Sequence, residues 1–411
     1  MFDAAVRAAD PRHCLAPALP PPPKGRTVVV GAGKAAAAMA AALEAHWPGP
    51  LSGVVITRYG HAVPTRQIQV LEAAHPVPDA KGVQATARLL ACLEGLTADD
   101  LVICLLSGGG SALLTAPPPG VSLADKRAVA SALLRSGAPI SQINCVRKHL
   151  SLVKGGRLRR AAGPARFVTL AISDVPGDEP GLIASGPTVG GDSTSTEARA
   201  ILDRYGIAVS PAMHGWLRDP ASELPALADE PEAFRLIATS LLSLRAAADV
   251  AGRLGYQPII LGDAIEGEAR DVAREHAGLA RALAAGLGGG AQPCVLISGG
   301  ETTVTVSGSG RGGRNTEYLL ALGVALNGAP GIHALAADTD GVDGVEDNAG
   351  AVLGPLSLSR AAEAGVSAVA CLADNDAYRC FAAVDGLVFT GPTRTNVNDF
   401  RAIIVSPEPW A

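Results

Sequence analysis

Apolar residues fall in short β-branched runs, each closed by glycine or a polar turn and most followed by a stretch with helical spacing. "TVVVGAG" (27–33), "SGVVITR" (52–58), "QIQVLEA" (67–73) and "DDLVICLLSGGG" (99–110) read as strands, with helices after the first, around Asp79 to Glu94, and after Ser111. This alternation is the signature of parallel βαβ units. A long helical segment (123–162) then leads to the strand "RFVTLAISD" (166–174), and 193–231 reads as helical and loop-rich. A second alternating set opens at "FRLIATS" and continues through "QPIILGD", "QPCVLISGG", "ETTVTVSG", "IHALAADTDG" and "FRAIIVSP". The pattern predicts an α/β protein whose domains divide as 1–231 and 232–411.

Length agrees with two domains, because 411 residues exceed what one hydrophobic core usually organises. A cleft between the domains is expected. Aromatic residues are 3% of the chain and the net charge is -5, with no sustained basic run. That leaves neither an electrostatic footprint nor a stacking platform for nucleic acid. The seven cysteines are widely spaced with no C-x-x-C, which argues against a disulfide framework or a zinc site. The N-terminus lacks a signal-peptide pattern, and no apolar stretch of about 20 residues occurs, so a cytoplasmic protein without membrane association is expected.

The first glycine turn, Gly31-Ala32-Gly33-Lys34-Ala35-Ala36, matches G-x-G-x-x-[G/A] between a strand and a helix. The dinucleotide reading also asks for an acidic residue at the end of the second strand, which here ends "VVITRYG". Arg58 keeps a 2′-phosphate reading open. A P-loop would need glycine at 28 and Ser or Thr at 35, where the chain has Val28 and Ala35. What remains is Lys34 at a strand's carboxyl end beside a helix N-terminus, a place suited to phosphate or carboxylate. A solvent-exposed lysine after an ordinary turn is the plain alternative.

Ser107, Gly108, Gly109, Gly110 and Ser111 offer backbone amides and two hydroxyls at the start of a helix, chemistry that cradles phosphate oxygens. Ser298, Gly299 and Gly300 repeat Ser-Gly-Gly after a second apolar run. "ISDVPGDEPGLIASGPTVGGDST" places Asp174, Asp178, Glu179 and Asp192 amid glycines and prolines that fix backbone geometry. Asp174, directly after its strand, is the first candidate for a base or a metal contact, and Asp178 the second. Glu301, Arg311, Arg314, Asn315 and Glu317 lie in or beside a glycine-rich loop, where arginine can clamp an oxyanion. "ADTDGVDGVEDNAG" adds Asp338, Asp340, Asp343, Glu346 and Asp347, but position twelve of the frame from Asp338 is Ala349, so it is no EF-hand.

Taken together, "VVVGAGKAA", "LLSGGGSALL", "INCVRKHLSLVKGGRL", "ISDVPGDEPGLIASGPT", "LISGGETTVTVSGSGRGGRNTE", "ADTDGVDG" and "TGPTRTNVND" resemble the class II glycerate 2-kinases, whose members are often labelled hydroxypyruvate reductases. The resemblance spans nearly the whole chain. It implies a Rossmann-like N-terminal domain with a parallel sheet and a smaller, mixed-sheet C-terminal domain of MOFRL type, with the active site in the cleft. It also implies transfer of the ATP γ-phosphate to the 2-hydroxyl of D-glycerate with Mg2+, by a monomer or homodimer. The family's lysine falls on Lys34 and its arginine on Arg314. Position after the strand, rather than the resemblance, adds Asp174 to the catalytic set. Gly31, Gly33, Ser107–Ser111, Asp178, Ser298–Gly300, Glu301, Asn315 and Asp340 are assigned to substrate and nucleotide, and Asp174 and Asp178 also to the metal. An NAD(P)H-dependent reductase using Gly31, Gly33 and Arg58 is the rival reading.

Overall fold

The computed structural model describes residues 1–227, 233–286 and 292–407. They fall into two compact units: Pro11–Ile237, and Met1–Asp10 together with the chain from Ala238 onward. The expected junction at residues 231 and 232 lies outside the described residues. The first ten residues pack with the second unit rather than the first, because Phe2 and Ala5 of the opening helix Phe2–Ala8 are buried against Leu244, Ala247 and Phe400.

The N-terminal unit is built on β1 (Thr27–Ala32), β2 (Ser52–Arg58), β3 (Gln69–Ala73), β4 (Leu101–Leu106), β5 (Arg166–Ile172) and β6 (Phe234–Ala238). Their order is β3-β2-β1-β4-β5-β6, and β1 to β5 pair in parallel. Every residue of β1 and of β4 is buried, as expected of central strands covered on both faces by crossover helices. The order reverses between β1 and β4. At such a switch point the connections leave to opposite sides and open a crevice at the strands' carboxyl ends.

"FRLIATS" was expected to open the second set of strands. It is instead β6, at the edge of the first sheet beside β5. A separate apolar cluster joins the helices Leu123–Arg135, Ile140–His149, Ser195–Arg204 and Pro211–Trp216 through Val129, Leu133, Val146, Ile201 and Met213. Capping boxes at Ser122/Asp125 and Thr194/Glu197 start two of these helices, each satisfying amides that the first turn leaves open.

The C-terminal unit holds β7 (Gln257–Glu268), β8 (Cys294–Thr303), β9 (Ile332–Asp338), β10 (Gly350–Leu353), β11 (Leu387–Val388) and β12 (Asp399–Val405). They run in the order β11-β10-β9-β12-β8-β7, with β7 and β8 parallel and the other pairs antiparallel. The sheet is mixed. "QPCVLISGG" and "ETTVTVSG" were read as separate strands, yet β8 runs through the glycines without a turn. A Cβ on Gly299 would lie 2.4 Å from Ser240 Oγ, and one on Gly300, at φ +116°, 2.2 Å from the Ile265 amide nitrogen. The glycines admit a neighbouring chain, and β7 shifts register twice opposite them.

Candidate functional site

In the N-terminal unit, Lys34, Ser107–Ser111 and Asp174 sit at or just beyond the carboxyl ends of β1, β4 and β5, three adjacent strands at the switch point. The glycine turn after β1 is stitched to its neighbours. The amide of Gly33 donates to Ile56 O (3.1 Å), that of Lys34 to Gly108 O (2.8 Å), that of Ala35 to Ser107 Oγ (2.9 Å) and that of Ala36 to Gly33 O (3.1 Å). A Cβ on Gly31 would fall 2.2 Å from Leu105 O, and one on Gly33 2.1 Å from Ser107 Oγ. Both glycines are therefore demanded by the close approach of β1 to β4. The amides a dinucleotide pyrophosphate would need are already spent inside the protein.

The next loop is different. Among the described residues, no backbone carbonyl accepts from the amides of Gly108, Gly109 or Ser111. Gly109 has φ +81° and packs between the His75 ring and the Lys34 side chain, whose Cγ lies 3.5 Å from the position of a Cβ there. Open amides in such a turn form a concave donor set for an anion, with Lys34 alongside. The Ser107 hydroxyl is consumed by Ala35, and the Ser111 hydroxyl pairs with Ser185 Oγ at 2.7 Å.

Asp174 and Asp178 lie half-buried on the loop that follows β5. That loop holds three non-glycine residues in the left-handed region, Asp178 (φ +56°), Ala184 (φ +53°) and Ser185 (φ +64°). Each such residue costs on the order of 1 kcal/mol or more, and clusters of them occur where a site fixes the backbone. Ala184 packs on Gly110, where a Cβ would come within 2.7 Å of the alanine methyl. Strained loop and glycine loop are thus fitted to one another. Glu179 and Asp192 act on the charge of Lys148.

Four cations that were not singled out from the sequence border this region. A cavity of about 570 Å³ is lined by the polar and charged residues His75, Ser111, Lys126, Arg127, Arg147 and Lys154, by Gly109, and by the apolar residues Val77, Pro78, Val129, Leu134 and Val146. Lys154 Nζ donates to the carbonyls of Ser111 (2.7 Å) and Leu114 (3.1 Å), and Lys126 Nζ to Leu150 O (2.6 Å). Burial, with Arg147 close by, pushes Lys126 down to about 8, and burial takes Lys154 well below the ordinary lysine range. Arg147, itself lowered by burial, has no carboxylate partner among the described residues. The signal was present in "CVRKHLSLVK", where Arg147, Lys148 and Lys154 crowd within eight residues, but helical spacing alone did not say which would turn inward.

In the C-terminal unit the expected clamp is occupied. Arg314 opens the helix Arg314–Leu326 and donates from Nε to Asp399 (2.7 Å), from Nη1 to Glu301 (2.8 Å) and from Nη2 to Asp338 (2.8 Å). Burial would weaken its hold on the proton, but Asp399, Asp338 and Glu301 outweigh this and shift the guanidinium upward. Asp399 also accepts from Asn315 Nδ2 at 2.7 Å and from Arg401 Nη2 at 2.5 Å. Two arginines thus face three carboxylates, so the group carries net negative charge.

Asp340 is buried next door, its amide donating to Asp338 Oδ1 at 2.9 Å. Asp343 caps the helix through the amides of Asn315 and Thr316, and burial raises its carboxyl even so. A second cavity, of about 620 Å³, has Glu266, Glu301, Gly310, Gly312, Gly313 and Arg314 in its wall. Ser298 and Gly299 are buried within β8 and do not form a loop. Glu317 is tied to Arg270 and to Asn375 Nδ2 (3.1 Å), a structural post. Arg311 lies over the Tyr378 ring at 4.8 Å and 3.6 Å from Glu346.

Among the described residues, no group of three or more His, Cys, Asp or Glu side chains is arranged to hold a metal ion, and no helix is long and apolar enough to cross a membrane. Asp174 and Asp178 together offer at most two carboxylates. That set suits a magnesium ion carried in on phosphates, which keeps few protein ligands, rather than one held in a protein cage.

Residues 1–218 match a family described as Domain of unknown function (DUF4147), and residues 294–399 match the MOFRL family. A protein of Agrobacterium vitis provisionally named a hydroxypyruvate reductase is 54% identical, over 98% of this chain and 93% of its own. The D-glycerate 2-kinase of Thermotoga maritima is 39% identical, over 96% of this chain and 94% of its own. The crystal structure of glycerate kinase from Thermotoga maritima superposes with a TM-score of 0.91 at 36% identity, covering 98% of this chain and 97% of that one.

Proposed function

We infer the reaction from the premise that this chain, in which a DUF4147 region is followed by a MOFRL region, belongs to the glycerate 2-kinase family. It is a glycerate 2-kinase, transferring the γ-phosphate of ATP to the 2-hydroxyl of D-glycerate. The observation that carries this reading against its rival is the stitched turn after β1. With the amides of Gly33, Lys34, Ala35 and Ala36 bonded internally, no dinucleotide pyrophosphate can use them, while the Lys34 side chain still stands beside the open amides of Gly108 and Gly109.

Phosphoryl transfer asks for positioning and charge neutralisation more than for covalent help. Lys34 supplies positive charge for the transferred group. The amides of Gly108, Gly109 and Ser111 add fixed dipoles that need no reorganisation as charge develops. Asp174 orients the glycerate hydroxyl and accepts its proton at a carboxylate oxygen, and Asp178 offers its carboxylate toward magnesium. The ion, when bound, neutralises phosphate oxygens. Arg314, its charge already matched by three carboxylates, acts by fixing Glu301, Asp338 and Asp399 in place.

Two assays in parallel test the reading: D-glycerate with MgATP, followed as 2-phosphoglycerate, and hydroxypyruvate with NADH or NADPH, followed as loss of the reduced cofactor. The first is expected to turn over and the second to stay at background. Hydride transfer without ATP-dependent product would overturn the kinase reading.

A further inference from the structure

The cavity between the switch point and the helices Leu123–Arg135 and Ile140–His149 holds a combination the reaction does not yet explain. Lys126, Arg127, Arg147 and Lys154 line it, and no aspartate or glutamate does. Burial first, and neighbouring cations second, lower Lys126 and Lys154, and an anion entering this half-buried space would relieve both costs. Part of the hydrogen-bonding capacity remains open: Lys126 donates to one acceptor and Lys154 to two, of the three that an ammonium can serve.

Size and surface narrow the ligand. At about 570 Å³ the cavity lies in the range of sites that enclose ligands of several hundred daltons, far more than a three-carbon acid fills. Much of the remaining lining is apolar, and Val77 (57% exposed) and Leu134 (61% exposed) contribute uncovered side chains to it. Apolar side chains and clustered cations lining one cavity suit a purine joined to a chain of phosphates. Gly109 and Ser111 belong to the cavity lining and the Lys34 side chain packs on Gly109, so a polyphosphate held by the cations has the open amides of the glycine loop, and Lys34, within the same site.

We propose that this cavity is the nucleoside triphosphate site: the base rests against Val77 and Leu134, Arg147, Lys126 and Lys154 hold the phosphate chain, and the terminal phosphate lies beside Lys34. The proposal rests on the kinase reading and adds which part of the chain receives the nucleotide.

The test titrates the full-length protein with an N-methylanthraniloyl derivative of ATP, without glycerate, comparing Arg147→Met and Leu134→Asp with the native chain. Arg147→Met removes a charge-assisted contact, and Leu134→Asp sets a carboxylate against the nucleotide from an exposed position that folding does not depend on. Each is expected to weaken nucleotide binding by about 10-fold or more, with the KM for glycerate held within about threefold. Unchanged nucleotide affinity in Leu134→Asp and in a folded Arg147→Met, or a loss that falls on glycerate instead, would overturn the assignment. Failure of the kinase reading looks different: the native protein would bind the nucleotide through these residues yet form no phosphoglycerate.

Discussion

At the scale of single residues, the two family cations do different work. Arg314 has three carboxylate partners, and Asp399 among them is completely buried. Removing one partner of such a set strands the others, so Arg314→Met is expected to cost about 3 kcal/mol. Chemical denaturation measures this directly. A variant as stable as the native chain would show that Arg314 is held for ligand contact alone.

Lys126 offers a pH test. Its folded value of about 8 lies below the ordinary lysine value of 10.5, so between those limits the unfolded chain binds more protons than the folded one. Stability should therefore rise with pH over that window, and Lys126→Met should make the rise shallower; Lys154, shifted the same way, leaves a remainder. Anion binding should run opposite, weakening as pH passes 8 and Lys126 loses its charge. A pH series of denaturation midpoints with and without nucleotide reads both. Neither behaviour was legible in the sequence, because a lysine's burial depends on which way its helix turns.

At the scale of elements, glycine was both the best and the most misleading signal. Strand-to-turn positions at Gly31–Gly33 and Gly108–Gly110 were legible because β-branched runs stop there, and the structure places both loops side by side at the switch point. The G-x-G pattern suggested a cofactor loop, whereas the same spacing arises when two parallel strands leave no room for a Cβ. Gly33→Ala is accordingly expected to destabilise the chain by about 2 kcal/mol or more, since it meets Ser107 Oγ at 2.1 Å from a backbone at φ +145°. An unaltered melting profile would mean that the turn is looser than described.

Gly299 and Gly300 misled in the other direction: they read as a loop but continue β8, because the partner that required them, bulged β7, pairs from about 35 residues earlier, Ile265 with Gly300. The strands β10 and β11, of four and two residues, are too short to carry a period. The strain at Asp178, Ala184 and Ser185 has no sequence signature, since aspartate, alanine and serine adopt other backbones elsewhere.

At the scale of the molecule, the parallel and mixed sheets were legible in the alternation of runs and in the family resemblance, and the relatives span nearly the whole chain. Chemistry divides unequally between the units. The N-terminal unit gathers Lys34, open amides and the cation-lined cavity, while the C-terminal unit gathers carboxylates around Arg314. This division predicts where nucleotide will protect the chain. Hydrogen exchange with and without an ATP analogue should slow across residues 107–113 and 123–150, and slowing confined to residues 294–399 would place the nucleotide in the wrong unit.

The central claim is that phosphoryl transfer takes place at Lys34. Its most direct test is the turnover of purified Lys34→Ala with saturating MgATP and D-glycerate, after confirming that the variant melts as the native protein does. The account expects kcat to fall by about 100-fold or more, the scale seen when a group that meets developing charge is removed. A folded Lys34→Ala enzyme with near-native kcat would contradict it.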